Sequence, residues 1–314
     1  MGEPSGIGPE VAVKAWAALG GAIGGRKLAL VGDAEVFRAA AKMCRIAERG
    51  LEGALADTGH RVRASPGKPS AANAAAVMAV IEEGVRRVQR GEAAALVTAP
   101  IHKSVLTAAG FGFPGHTEYL AALTDARRAV MMLVSRGVQP PLRVVPLTVH
   151  VALSAAITKI STQEIVTVAE IAVAALETDF GVVAPRLAVA GLNPHAGEDG
   201  TMGNEDREII APAVRELIAR GRRALGPLPA DTLFHDEARA GYDAALCMYH
   251  DQALIPLKTL AFWTGVNVTL GLPIVRASPD HGTALDIAGR GIASETSMIA
   301  AIETAAEIAS RRGL

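Results

Sequence analysis

The sequence predicts an α/β protein built around a mixed, mostly parallel sheet flanked by helices. Three observations carry this expectation. Short apolar runs of strand length alternate with long helical patterns, the order expected of βαβ crossovers. Half of the residues are hydrophobic but only 4% are aromatic, so Ala and Val carry the core, a texture common in helix-rich α/β enzymes. The chain of 314 residues is long for one compact core, which predicts two domains or one large α/β unit.

Taken in order, the chain opens with a Gly-rich turn, Gly2 to Gly8, running into a helix with Pro9 near its first position and Glu10 in its first turn. Such a turn either binds an anion through free backbone N–H groups or simply joins a strand to a helix. No strand pattern precedes it, and the chain reads as missing its first strand. Lys27 to Val31 reads as a strand, Ala34 to Ala47 as a helix, and Leu51 to Lys68 as a polar excursion. Ser70 caps a long Ala/Val helix that ends near Gly91.

A short strand, Ala93 to Val97, delivers His102 and Lys103, either as site residues beyond a strand end or as ordinary loop residues. The Gly/Pro loop Gly110 to Glu118 ends in His116 and Thr117. Thr117 is read as a helix cap, or both residues face a ligand at the positive end of that helix. Three strand-like runs then end in histidine: Leu142 to Val149 before His150, Arg186 to Leu192 before His195, and Ala244 to Tyr249 before His250. Helices over Thr162 to Thr178 and Asn204 to Gly221 intervene.

Composition excludes several functions. Lys+Arg 31 against Asp+Glu 32 gives a net charge of -1, so nothing points to nucleic acid or an anionic membrane. Two cysteines, Cys44 and Cys247, cannot build a multi-bridge framework and fit a reducing cytoplasm. Cys247 and His250 form a C-x-x-H pair, but strand alternation sends them to opposite faces, and Cys247 reads as an inert core residue. No apolar span reaches membrane length and no signal pattern opens the chain, which predicts a soluble, cytoplasmic protein.

The densest chemistry lies between Ala244 and Gly291. Three neutral imidazoles at strand ends can converge in one crevice and leave a fourth position open, a familiar arrangement for a catalytic divalent metal, zinc first, with magnesium or cobalt as alternatives. Lys258 and Arg276 read as anion receptors, Lys as a point charge and Arg as a planar fork. Asn267, inside an apolar strand, needs a hydrogen-bond partner. Asp280, His281, Gly282 and Thr283 form a turn that opens a helix.

The stretch DHGTALDIAGRGIASETSM resembles HGSAPDIAGxGIANP of the β-decarboxylating dehydrogenases, which bind the adenosine end of NAD there. The resemblance implies that Asp280, His281, Gly282 and Thr283 contact NAD or NADP. Together GEPSGIGPE, TAPIHK, FPGHTE, GLNPHAGE, GPLPADT, MYHDQ and GVNVTLGLPIVRASPDHGTA resemble, nearly end to end and in order, the 4-hydroxythreonine-4-phosphate dehydrogenase family of vitamin B6 biosynthesis. That family implies a two-domain isocitrate/isopropylmalate-dehydrogenase-like fold. The expected domains are residues 1–118 plus 281–314, with the nucleotide-binding elements, and residues 119–280, with the metal and dimer elements.

The resemblance also implies a homodimer with sites shared between subunits. His150, His195 and His250 fall on the family's metal-ligand positions, and His116, Thr117, Lys258, Asn267 and Arg276 on its substrate-binding positions. Relatives carry a strand before the Gly-rich loop, and Ala253 stands where Gly is usual. The implied reaction oxidises the C3 hydroxyl of 4-phosphooxy-L-threonine with NAD(P)+ and decarboxylates the product to 3-amino-2-oxopropyl phosphate. Asp251 and Lys258 are both candidates for the general base. Rival readings are a paralogue acting on a phosphorylated sugar acid or a cyclic dihydrodiol, a three-histidine metal hydrolase, and a non-catalytic phosphate-ligand-binding protein.

Overall fold

The computed structural model describes every residue but Glu48 and Pro114. Pro114, inside the Gly/Pro loop discussed above, therefore lies outside the described residues. The chain divides into two compact units, residues 1–129 with 272–314 and residues 130–271. The expected breaks at 118 and 281 move because the helix at 116–123 and the strand at 276–279 both belong to the first unit.

The first unit begins with α1 (Gly8–Ala18), a ribbon of β1 (Ala22–Ile23) and β2 (Arg26–Lys27), β3 (Leu30–Gly32) and α2 (Ala34–Met43). Asp33 starts α2 by accepting from the Glu35 amide, which satisfies one of the otherwise orphan donors of the first turn. The supposed excursion 51–68 holds β4 (Leu55–Asp57), which pairs in parallel with β3. Three residues are too few to show alternation, so this strand was illegible in the sequence.

Ser70 does cap, accepting from Ala72, but what it caps is a single 3-10 turn leading into α3 (Ala74–Gln89). Next come β5 (Leu96–Val97), α4 (Lys103–Ala108) and α5 (His116–Leu123). Gly115, not Thr117, precedes α5, so Thr117 lies within the helix. An apolar cavity of about 880 Å³ is lined in part by Leu30 and Val31 of β3, Leu96 of β5, and Phe37, Val80 and Ile302.

The second unit holds β6 (Val130–Ser135), β7 (Leu142–Pro146), α6 (Leu153–Lys159), α7 (Thr162–Thr178), β8 (Arg186–Ala190), α8 (Ala211–Ala219), β9 (Arg223–Leu228), α9 (Asp236–Arg239), β10 (Ala244–Cys247), α10 (His250–Ala261) and β11 (Val266–Leu270). Its strands lie in the order β11-β6-β7-β10-β8-β9. β6 runs antiparallel to both β11 and β7, whereas β7, β10, β8 and β9 are mutually parallel.

All four residues of β10 are buried. Central parallel strands are covered on both faces and read as unbroken apolar runs. Each large side chain so buried, such as Leu187 or Leu246, contributes about 1.5–3 kcal/mol. Cys247 is fully buried in this core, and its burial pushes the thiol well above its ordinary value, so it is an inert packing residue.

The chain returns to the first unit with β12 (Arg276–Pro279), parallel to β5, and closes with α11 (Thr296–Arg311). No helix starts at Asp280–Thr283. Residues 284–295 are turns and irregular backbone, with Ala284 at φ 41. Among the described residues no helix is long and apolar enough to cross a membrane.

Candidate active site

In the second unit the parallel strands β7, β10 and β8 lie side by side, so the segments leaving their carboxyl ends emerge from one sheet edge, where α/β sheets bind ligands. His150 follows β7, His250 is the first residue of α10, directly after β10, and His195 follows β8. Buried polar side chains tie these exits together. Leu147 donates its amide to the Cys247 carbonyl at 2.8 Å, and Thr148 donates its hydroxyl to the Met248 carbonyl at 2.9 Å. Gln252 accepts from the Met248 amide at 2.6 Å and donates to the Gly191 carbonyl at 2.7 Å.

Asp206, 1% exposed, accepts from the amides of Leu192 and Asn193 and from the Asn193 side chain, and so fixes the turn that leads to His195. A buried carboxylate satisfied by three donors is a rigid anchor. Neither Thr148 nor Asp206 stood out in the sequence as part of a site. Gln252 was visible within MYHDQ, but nothing in its spacing reveals a bond to Gly191.

The rings of His150 and His250 stand 5.8 Å apart, centroid to centroid, tilted by 44°. Two imidazoles sharing one tetrahedral ion would hold their centroids about 5 Å apart, so the pair suits joint ligation. Asp251 contacts His250 Nδ1 at 2.6 Å, so a metal held by this ring would be met by Nε2, as in the carboxylate–histidine arrangement of metal sites. His195 stays outside this pair. It sits exposed in a turn at φ 53, and no three His, Cys, Asp or Glu side chains gather at metal-holding distance among the described residues.

Two further candidates lie on α10 and β11. Lys258 Nζ sits 5.3 Å from the Phe262 ring centroid. Asn267 is half-buried and its Oδ1 is sealed from water without a hydrogen-bond partner, an acceptor left for a ligand.

In the first unit Arg276 opens β12 and is 3% exposed. Its Nη2 donates to Thr98 Oγ1 at 2.6 Å and lies 3.5 Å from His116 Nδ1. Burial lowers the guanidinium to about 10, so it remains charged at neutral pH. His116 is held well below its ordinary value, first by burial and then by the positive charges of Arg276 and Lys103. Its Nε2 is sealed from solvent with no hydrogen-bond partner. A neutral imidazole beside a buried guanidinium is an arrangement that can receive an anion. Thr98, the hydroxyl that orients Arg276, was not singled out in the sequence because it lies 178 positions away.

Asp280, His281, Gly282 and Thr283 follow β12. His281 Nε2 is buried and unsatisfied, and a Cβ built on Gly282 meets nothing within 4 Å, which leaves polar capacity and open space for a ligand. Thr283 is committed elsewhere, since its carbonyl accepts from the Ile7 amide at 3.0 Å. The Gly-rich N-terminal turn is structural. Its Gly6 and Ile7 amides bond to Glu3 and Thr283 carbonyls, and side chains at Gly6 or Gly8 would approach backbone oxygens to 2.8 and 2.7 Å.

Known proteins resemble the chain along nearly its whole length. A curated relative from Roseobacter denitrificans, a 4-hydroxythreonine-4-phosphate dehydrogenase, is 54% identical over 322 residues, covering 99% of this chain and 96% of its own. The crystal structure of 4-hydroxythreonine-4-phosphate dehydrogenase from Klebsiella pneumoniae superposes with a TM-score of 0.83 at 37% identity, covering 98% of each chain. A terephthalate 1,2-cis-dihydrodiol dehydrogenase from Burkholderia xenovorans superposes with a TM-score of 0.63 at 30% identity, covering 97% of this chain and 95% of that one. The family model of the pyridoxal phosphate biosynthetic protein PdxA matches residues 26–305, and the chain belongs to that family.

Proposed function

We propose that the chain is an NAD(P)-dependent 4-hydroxythreonine-4-phosphate dehydrogenase, which oxidises 4-phosphooxy-L-threonine at C3 and decarboxylates the product to 3-amino-2-oxopropyl phosphate in pyridoxal phosphate biosynthesis. The observation that carries this reading is the buried Arg276 with neutral His116 beside it. A buried guanidinium with a neutral imidazole beside it suits an anionic ligand, and a phosphorylated hydroxy amino acid brings two anionic groups. The 54% identity to a dehydrogenase of that name supports the same substrate.

Arg276, His116 and Thr117 are the substrate-binding residues of the first unit, where they suit an anionic group, and Lys258 and Asn267 are those of the second. His150, His195 and His250 would hold a divalent ion, zinc before magnesium or cobalt. That ion, when bound, supplies Lewis-acid stabilisation of the developing oxyanion and enolate charge. NAD or NADP would be held at Asp280, His281, Gly282 and the side chain of Thr283, whose carbonyl is taken by Ile7, and would supply the hydride acceptor. Because Asp251 is engaged with His250 Nδ1, it orients that ring, and Lys258 is the proton carrier: it takes the C3 hydroxyl proton as C3 loses hydride. The β-keto acid then loses CO2, the C–C bonding pair passes into an enolate, and a proton returns to carbon.

The enzyme works as a homodimer. Phe262 and Trp263, at the end of α10, are 58% and 64% exposed and stack edge to face, and Leu153 on α6 is 57% exposed. A second copy of the chain is the occupant that buries them. With His150 and His250 paired in one chain, His195 of the partner subunit completes the donor set. A dihydrodiol substrate is the second reading, favoured by the likeness to the Burkholderia xenovorans enzyme. The test is reduction of NAD(P)+ on addition of 4-phosphooxy-L-threonine with a divalent metal. No nucleotide reduction by folded, metal-loaded protein would reject the proposal.

A further inference from the structure

Gly115 precedes α5 with a buried, fully extended backbone, φ -177, that any residue can adopt. Its lack of a side chain therefore has a packing cause. A Cβ at Gly115 would lie 3.1 Å from both Cε and Nζ of Lys103, with Glu118 Oε2 3.4 Å from the same point. The Lys103 ammonium thus occupies the place of the missing side chain, one residue before His116. Arg276 Nη2 lies 3.5 Å from the His116 ring. Two cations, delivered by α4 and β12, flank one imidazole whose Nε2 is buried and unsatisfied. Both charges bear on that ring, since both help to hold His116 neutral. Glu118 offsets part of the charge, but the cluster at the entrance of α5 remains suited to a multiply charged anion.

We propose that Lys103 is a specificity-determining residue of this receptor, placed by Gly115 so that the pocket takes a dianionic phosphate group in preference to a carboxylate. Arg276 alone matches a carboxylate through its planar fork. The second charge of a phosphate is matched only when the Lys103 ammonium stands beside it. The inference rests on the reading above that Arg276 and His116 receive the substrate's anionic end.

The experiment uses inorganic phosphate as probe, measured as a competitive inhibitor against 4-phosphooxy-L-threonine and as a ligand by calorimetry. Lys103→Met is expected to raise both KM and the phosphate inhibition constant about ten-fold, the scale of one charge-assisted contact, with a smaller change in kcat. Gly115→Ala, whose new methyl displaces the ammonium without straining the backbone, is expected to shift the same constants in the same direction. It decides the matter if Lys103→Met does not fold. Binding of a substrate analogue lacking the phosphate is expected to change little in either variant. If both variants bind phosphate as the parent does while Arg276→Ala binds it more weakly, the role of Lys103 is overturned and the receptor stands. If Arg276→Ala also binds phosphate unchanged, the receptor reading itself falls, and with it the proposal.

Discussion

Gln252 Nε2 donates to the Gly191 carbonyl at 2.7 Å while its Oε1 accepts the Met248 amide at 2.6 Å. One buried amide thereby links the exit of β8, which leads to His195, with the exit of β10, which leads to His250. Catalytic constellations need their supports held to a fraction of an ångström, and a fully satisfied buried amide does this where an exposed loop would not.

Gln252→Leu is accordingly expected to leave two backbone groups buried without partners, at a cost of about 1–3 kcal/mol each. The folded protein should lose divalent-metal affinity more than it loses binding of inorganic phosphate, because Arg276 and His116 belong to the other unit. Metal titration calorimetry beside a phosphate titration checks this. Equal weakening of both would show a general loss of structure instead.

His116 gives a pH signature. Its value in the folded state lies below the ordinary 6.5, so below pH 6.5 the unfolded chain binds a proton that the folded chain refuses. Stability contributed by this residue is fully present above pH 6.5 and is lost as pH falls toward the depressed folded value. Denaturant melts between pH 7.5 and 5 should therefore fall less steeply with acid for His116→Gln than for the parent. Bound phosphate dianion should raise the His116 value, so the imidazole should titrate at a higher pH in the phosphate complex than in the free protein. Following the ring by NMR against pH reads this directly, and an unchanged or lower value in the complex would contradict the arrangement.

The shared-site proposal predicts complementation. His195→Ala and His250→Ala are each expected to be inactive alone. In a hybrid dimer with His195 acting in trans, two-fold symmetry gathers both substitutions into one site and leaves the other intact, so random pairing restores about a quarter of parental activity. Labelled subunits show whether exchange has occurred. With exchange demonstrated, no recovered activity would place all three histidines in one chain.

The long apolar runs were legible because burial on both faces leaves an unbroken signature. The runs Ala244 to Tyr249 and Arg186 to Leu192 are strands that each end two residues early, at Cys247 and Ala190, and α7 spans the Thr162–Thr178 read from periodicity. Chemistry was legible where a residue type was out of place, such as Asn267 within an apolar strand. The positions that organise the site were not. Thr98 meets Arg276, and Gln252 meets Gly191, only through sheet pairing, and no local pattern encodes such long-range contacts. The Gly-rich turn Gly2–Gly8 follows the plainer of its two readings, a turn entering α1, with its Gly6 and Ile7 amides serving the chain's own carbonyls. The helix expected after Thr283 failed because the Thr283 carbonyl is taken by Ile7 and Ala284 turns left-handed.

The central claim is that a phosphorylated hydroxy amino acid is the substrate. The most direct measurement is kcat/KM for NAD(P)+ reduction with 4-phosphooxy-L-threonine, erythronate 4-phosphate and a cyclic cis-dihydrodiol, under one metal and one pH. The account predicts that 4-phosphooxy-L-threonine is preferred over the phosphate-free dihydrodiol by at least about ten-fold, as loss of a charge-assisted phosphate contact requires. It also predicts that Arg276→Ala narrows this gap. A higher kcat/KM for the dihydrodiol, unchanged by Arg276→Ala, would contradict it.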